Sequence, residues 1–167
     1  MTNIAAGNQN QCNSIIEKGG IKIFVDLLLS PTIGVVEQAI WALGNIACDS
    51  PHHRDSILKC GGLKNLLIVM RIAREQYQTN KNMIETISSI AWSLANLCRM
   101  KPIPEYSAVE KALDLFAELL NLKIINDTGI LGNICWSISY FCSNNEKKSK
   151  VDKVQKCIER GIGPIMF

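Results

Sequence analysis

One pattern written three times constrains the fold of this chain before any local propensity does. It reads QAIWALGNIAC at Gln38–Cys48, SIAWSLANLCR at Ser89–Arg99 and GNICWSISYFC at Gly132–Cys142. In each copy a Trp stands four residues ahead of an Asn or a Tyr, giving the pairs Trp41 and Asn45, Trp92 and Asn96, Trp136 and Tyr140. The opening Thr2 to Gly7 reads as the tail of another copy, with Asn3 in the Asn position and its Trp ahead of Met1. Self-similarity of this kind is the signature of a repeat architecture.

A second element recurs out of phase with the first, as EKGGIKIFVDLLL at Glu17–Leu29, LKCGGLKNLLIVM at Leu58–Met70 and ERGIGPIMF at Glu159–Phe167. Gly19 and Gly61 lie 42 positions apart, and Gly61 and Gly161 lie 100 apart, the length of two longer turns of the repeat. A pitch of this size fits stacked units of two or three helices. Such a unit cannot bury its apolar face alone and draws its stability from its neighbours. With no low-complexity linker in its 167 residues, the chain is expected to have no internal domain boundary.

Punctuation places the helices. Amphipathic stretches at Gln9–Lys18 and His52–Lys59 end at Gly19-Gly20 and Gly61-Gly62, where a left-handed residue can stop one helix and turn into the next. Ser50 and Pro51 supply a cap and a first-turn proline. Ile21, Phe24, Val25 and Leu28, then Leu63, Leu66, Leu67 and Met70, recur at helical spacing and predict buried middle helices. The Trp-bearing third helices are expected to start near Gly34, Asn82 and Asp127. The stretch Arg71–Asn82 lengthens one connection and reads as an exposed loop or a helix extension.

Seven cysteines include no C-x-x-C pair, and Cys48, Cys98 and Cys142 each close the same repeated helix, where a thiol acts as a small hydrophobe. A reducing compartment follows. No signal peptide, transmembrane run or lipidation motif is visible, so the chain reads as soluble and intracellular, without membrane insertion. His52 and His53 are adjacent with no third ligand at metal spacing; they read as a surface turn or helix start, and no metal site is expected. The basic run Glu146–Lys156 lacks interleaved aromatics and reads as a solvated helix face, with no direct nucleic-acid binding expected. No spacing signals a Cys–His nucleophile. The expectation is a chain with no catalytic residues and no cofactor.

On a third helix, positions four apart share a face, so Glu37, Trp41 and Asn45 form a vertical strip, as do Ser88, Trp92 and Asn96. Ile40, Leu43 and Ala47 fall on the opposite arc and pack inward, which leaves Trp and Asn as an expected surface pair. Glu37 and Gln38 by themselves read as a solvated helix face. Stacking such helices about 10 Å apart sets the strips side by side and forms a groove that an extended peptide could follow.

The run VVEQAIWALGNIACDS at Val35–Ser50, with TNIAAG before it, LANLCRMKPIPEYS at Leu94–Ser107 after it and WSISYFC further on, resembles the second to fifth armadillo repeats of the importin alpha family. The resemblance covers essentially the whole chain. It implies an all-α, right-handed superhelical solenoid of three-helix units. One repeat would end at 1–7, others would occupy about 8–48, 49–98 and 99–142, and a further one would start at 143–167. Members of that family are adaptors that bind classical nuclear localisation signals and hand the cargo to importin beta.

Under that resemblance Asn3, Asn45 and Asn96 hold the backbone of an extended peptide, because an amide both donates and accepts. Trp41, Trp92 and the upstream Trp make apolar slots for lysine stems, with ring faces attractive to cations. Trp136 and Tyr140 continue the ladder. Asp49 matches the acid that receives a lysine ammonium, Gly7 the small residue that admits the peptide backbone, and Arg99 an arginine that orients an acidic neighbour or cargo carbonyls. Three positions depart from the family pattern: Cys12 stands where a Thr holds the deepest lysine, Asn133 replaces an Asp, and Ser143 replaces another acid. The groove is thereby less acidic towards its carboxyl end. The net charge of +3 also opposes the negative potential that would steer a basic peptide.

The expected function is a nuclear import adaptor that shuttles between cytoplasm and nucleus. Its cargo would be proteins with basic nuclear localisation signals, and importin beta would be a partner only if a basic amino-terminal segment belongs to the protein. The alternatives are an armadillo scaffold that has lost import, or a non-functional fragment, since neither end of the sequence carries the polar cap that a solenoid needs.

Overall fold

The computed structural model describes residues 9–121, 127–143 and 147–162, and these contain helices and connecting turns with no strand. Three helices come first, α1 (Gln9–Glu17), α2 (Gly20–Leu27) and α3 (Ile33–Asp49). The same succession of two shorter helices and a Trp-bearing one follows as α4 (Pro51–Lys59), α5 (Gly62–Tyr77) and α6 (Met83–Cys98). Then come α7 (Tyr106–Asn121), α8 (Thr128–Cys142) and α9 (Lys147–Glu159).

The punctuation read from the sequence operates as expected. Gly19 and Gly61 adopt φ of 77° and 84°, a left-handed conformation that stops α1 and α4 and turns the chain into α2 and α5. The Ser50 hydroxyl accepts the His53 N–H at 3.2 Å, so it satisfies one of the orphan donors at the start of α4, with Pro51 in the first turn. The Arg71–Asn82 stretch resolves into a helix extension as far as Tyr77 and a short turn, closed by the Asn80 N–H on the Gln76 carbonyl at 2.8 Å.

One unit departs from the three-helix expectation. Between the end of α6 and the start of α7 the chain runs from Arg99 to Glu105 without a helix, so this part of the solenoid presents two helices among the described residues. Pro102 and Pro104 account for it. Each lacks an N–H and pushes the residue before it towards extended backbone, so no helical turn can nucleate there.

The core is continuous along the stack. Ile40, Leu43 and Ile46 of α3, Ile57 of α4, Leu66 and Met70 of α5, Ile90 and Leu94 of α6, and Phe116 of α7 are all fully buried. α6 sits at its centre and packs against α3, α5 and α8. The predicted middle-helix residues Phe24, Val25, Leu66 and Met70 all point into this core.

A few polar links cross between helices. The Asn65 amide donates to the Val25 carbonyl at 2.9 Å, joining α5 to α2. Arg74 pairs with Glu118 at 2.8 Å, joining α5 to α7. The largest fully buried side chain among the described residues is Arg54, at 1% exposure. Its guanidinium donates to the carbonyls of Arg99 and Met100 at 3.0 and 2.9 Å and to Asp55 at 2.9 Å. It thereby clamps the segment that leaves α6, where Met100 is held at φ 75°, a conformation that costs a non-glycine residue about 1–3 kcal/mol.

Candidate peptide-binding face

The ladder residues of α3 and α6 meet. Trp41 is 47% exposed, and its ring lies 5.3 Å from that of Trp92, with the planes tilted by 36°. Trp92 is half-buried because its ring lies over Gly44, where a Cβ would collide with it. The two rings are therefore in contact. The outer face of Trp41 remains open to solvent.

The two Asn positions differ as well. Asn45 is half-buried on α3, whereas Asn96 is 5% exposed and donates its amide to the Gly44 carbonyl at 3.3 Å. The expected surface pair of Trp and Asn holds for α3 and fails for α6. Close approach of the two helices at Gly44 draws both Trp92 and Asn96 into the interface. Glu37, expected as part of a solvated face, instead accepts a hydrogen bond from the Thr86 hydroxyl at 2.9 Å and ties α3 to α6.

Beside Trp41 lies an open cleft of about 420 Å³ bordered by Glu37, Glu85, Ser88 and Asp127. Three acidic residues thus border the same cleft as Trp41, although the chain as a whole is basic. Asp127 also caps α8, accepting the Ile130 N–H at 2.9 Å.

The third rung is built differently. Trp136 is 60% exposed and stacks on Tyr140 of its own helix, with centroids 5.7 Å apart and an interplanar angle of 24°. Arg99 is exposed and directs its guanidinium to the Cys48 sulfur at 3.6 Å. Asn3 and Gly7 lie outside the described residues.

At the other end of α3, Asp49 and Cys12 meet a residue that the sequence reading set aside. His53, expected in a surface turn or helix start, lies in the first turn of α4 but is only 7% exposed, and its Nδ1 lies 2.8 Å from Asp49 Oδ2. Cys12 is 1% exposed, and its sulfur completes a group of three donor atoms within 4.8 Å of one another. Burial, and then the Asp49 carboxylate, raise the Cys12 thiol above its ordinary range. His53 was missed because its partners are one cap away along the chain and one helix away in space. The available signal was the i, i+4 spacing of Asp49 and His53 across Ser50-Pro51. No two of the seven cysteines are disulfide-linked. Cys98, fully buried, has its thiol pushed up to about 12 by desolvation.

Among the described residues, no helix is long and apolar enough to cross a membrane. Residues 8–48 match the Armadillo/beta-catenin-like repeat family. The chain is 37% identical over 164 residues to importin subunit alpha-1b of Oryza sativa subsp. japonica, covering 98% of this chain and 28% of that protein. It is 34% identical over 170 residues to the probable importin subunit alpha-A of Dictyostelium discoideum, covering 98% of this chain and 30% of that protein. The chain thus spans less than a third of the length of these curated relatives.

Among solved structures, the designed armadillo repeat protein YIII(Dq)4CqI superposes with a TM-score of 0.78 at 24% identity, over 98% of this chain and 62% of that one. The designed armadillo repeat protein YIII(Dq.V1)4CPAF, in complex with peptide (KR)4, superposes with a TM-score of 0.71 at 22% identity, over 96% of this chain and 61% of that one. These likenesses establish the solenoid fold. In fold this chain is an armadillo-repeat solenoid, and in sequence it is similar to a stretch of less than a third of the importin alpha subunits.

Proposed function

We propose that this chain binds Lys- and Arg-rich peptides of the nuclear-localisation type along the α3 and α6 face, as part of a nuclear import adaptor that shuttles between cytoplasm and nucleus. The observation that carries the reading is the open Trp41 ring beside a cleft bordered by Glu37, Glu85 and Asp127. An aromatic face takes the stem and charge of a lysine or arginine, and nearby carboxylates take its head. The local acids also answer the net charge of +3, because a concave site focuses its own field against the sign of the whole molecule.

In this reading Asn45 holds the peptide backbone, Asp49 receives a lysine, Trp92 supports Trp41 from behind, and Trp136 with Tyr140 forms a separate outer rung. Asn3, Gly7 and Arg99 are proposed contacts by resemblance to the family, with repeats at about 8–48, 49–98 and 99–142. The importin subunit alpha relatives support the adaptor role. The designed protein in complex with peptide (KR)4 supports the fold as one that accommodates a basic peptide. Coupling to importin beta is proposed only for a protein that carries a basic segment ahead of these residues.

The test is titration of a fluorescent Lys-rich localisation peptide into the chain at several salt concentrations. Trp41→Ala should cost about 2 kcal/mol or more of peptide affinity, as a hot-spot aromatic does, with the unfolding midpoint nearly unchanged because the ring is half-exposed. Binding should also weaken as salt rises. Saturable binding that Trp41→Ala leaves intact would remove the ladder from the site.

A second reading, an armadillo scaffold for other protein partners, draws on the Asn96 amide. It is engaged with the Gly44 carbonyl at 3.3 Å and in that arrangement does not face a peptide. A folded chain that ignores the basic peptide decides for the scaffold.

A further inference from the structure

We propose that Cys12, Asp49 and His53 form a binding site for a borderline-soft divalent metal ion of the Zn²⁺ class, with three protein ligands and one open position. The three come from separate pieces of structure: Cys12 from α1, Asp49 from the last residue of α3, and His53 from the first turn of α4. The Ser50 cap fixes the chain reversal between α3 and α4, accepting the His53 N–H at 3.2 Å and so aiming the imidazole back at Asp49.

Burial makes the arrangement unusual. Cys12 is 1% exposed, the His53 side chain 9% and the Asp49 side chain 22%. Asp49 Oδ2 and His53 Nδ1 are both buried and approach to 2.8 Å, yet neither makes an aligned hydrogen bond among the described residues. When the imidazole presents Nδ1 as a lone pair, a cation held between it and the carboxylate oxygen would partner both buried atoms.

The donor set selects the ion. A thiolate, an imidazole nitrogen and a carboxylate oxygen are the ligand types of zinc, which is content with four ligands and has no electronic preference for a rigid geometry. Calcium and magnesium ask for about six or more oxygens and are not served here. Tetrahedral zinc takes sulfur at about 2.3 Å and nitrogen or oxygen at about 2.0–2.2 Å. Three donors already within 4.8 Å of one another would need only small side-chain shifts to surround such an ion. Coordination also reverses the local charge logic, because a metal-bound thiol gives up its proton to solvent as the ion enters.

Asp49 is also the carboxylate that the peptide reading assigns to a lysine. A bound dication would take Asp49 from that lysine, so metal and basic peptide would compete. The metal site itself does not depend on the peptide reading.

The test uses Co²⁺ alone, without peptide, as an absorbing probe on the full 167-residue chain, with helicity followed by circular dichroism. One equivalent should bind with tetrahedral ligand-field bands and a thiolate-to-cobalt charge-transfer band, all displaced by Zn²⁺. Cys12→Ser should abolish the charge-transfer band, and His53→Phe and Asp49→Asn should each weaken binding at least tenfold while the helical signal is kept. A folded wild-type chain without these bands overturns the proposal. So does a charge-transfer band that survives Cys12→Ser, which would assign the metal to other thiols such as exposed Cys60.

Discussion

Trp92 and Trp136 hold the same place in two successive copies of one pattern, yet one leans on a neighbouring helix and the other on its own. Trp92 lies over Gly44 of α3 and touches Trp41, while Trp136 stacks on Tyr140 one turn further along α8. The difference is set by what the preceding helix presents. α3 offers a glycine where α6 must approach, and α6 follows closely enough to bury Asn96. Identical rungs therefore divide into one that builds the joint between repeats and one that is left for recognition.

The comparison breaks most directly at Trp92. Trp92→Ala is expected to lower the unfolding free energy by about 3 kcal/mol, in the range of large-to-small aromatic replacements, as read from chemical denaturation. An unchanged midpoint would make the ring dispensable to the joint. Gly44→Ala should cost about 2 kcal/mol, because an added methyl must displace the Trp92 ring. The sign is the useful part, since helix propensity alone predicts a gain of about 1 kcal/mol; a stabilised variant would mean that α3 and α6 separate without penalty.

Smaller effects sharpen the contrast. Asn96→Ala should cost about 1 kcal/mol, the net worth of one neutral hydrogen bond, and equilibrium denaturation of this variant beside Asn45→Ala should show the larger loss at Asn96. Trp136→Ala should stay within about 0.5 kcal/mol of the parent, because an exposed pair on one helix contributes only a few tenths. A larger loss in a thermal melt would place Trp136 in an interface.

How much of this was legible in the sequence follows the distance over which each feature is made. Gly19, Gly61 and the Ser50-Pro51 cap act within a turn of chain, and all three do in the structure what their residue types predict. The apolar spacing of Phe24, Val25, Leu66 and Met70 correctly gave the buried faces. Contact between Trp41 and Trp92, burial of Asn96 and the Glu37 bond to Thr86 depend on how closely two helices pack some fifty residues apart. Helical periodicity states which face a residue occupies and says nothing of what stands opposite. The meeting of Cys12, Asp49 and His53 was hidden for the same reason, because metal spacing along a chain is only one way to bring three donors together. The missing helix before α7 was readable from Pro102 and Pro104 and was overridden by the expectation of a uniform repeat.

Arg54 carries a consequence for shape. It fastens α4 to the carbonyls through which the chain departs from α6, and so it sets the bearing on which α7 and everything beyond it are laid down. A stack without a closed perimeter has nothing to correct a wrong bearing: a few degrees lost at this rivet become a displacement that grows with every helix added. One guanidinium thereby governs the course by which the chain leaves α6 for α7.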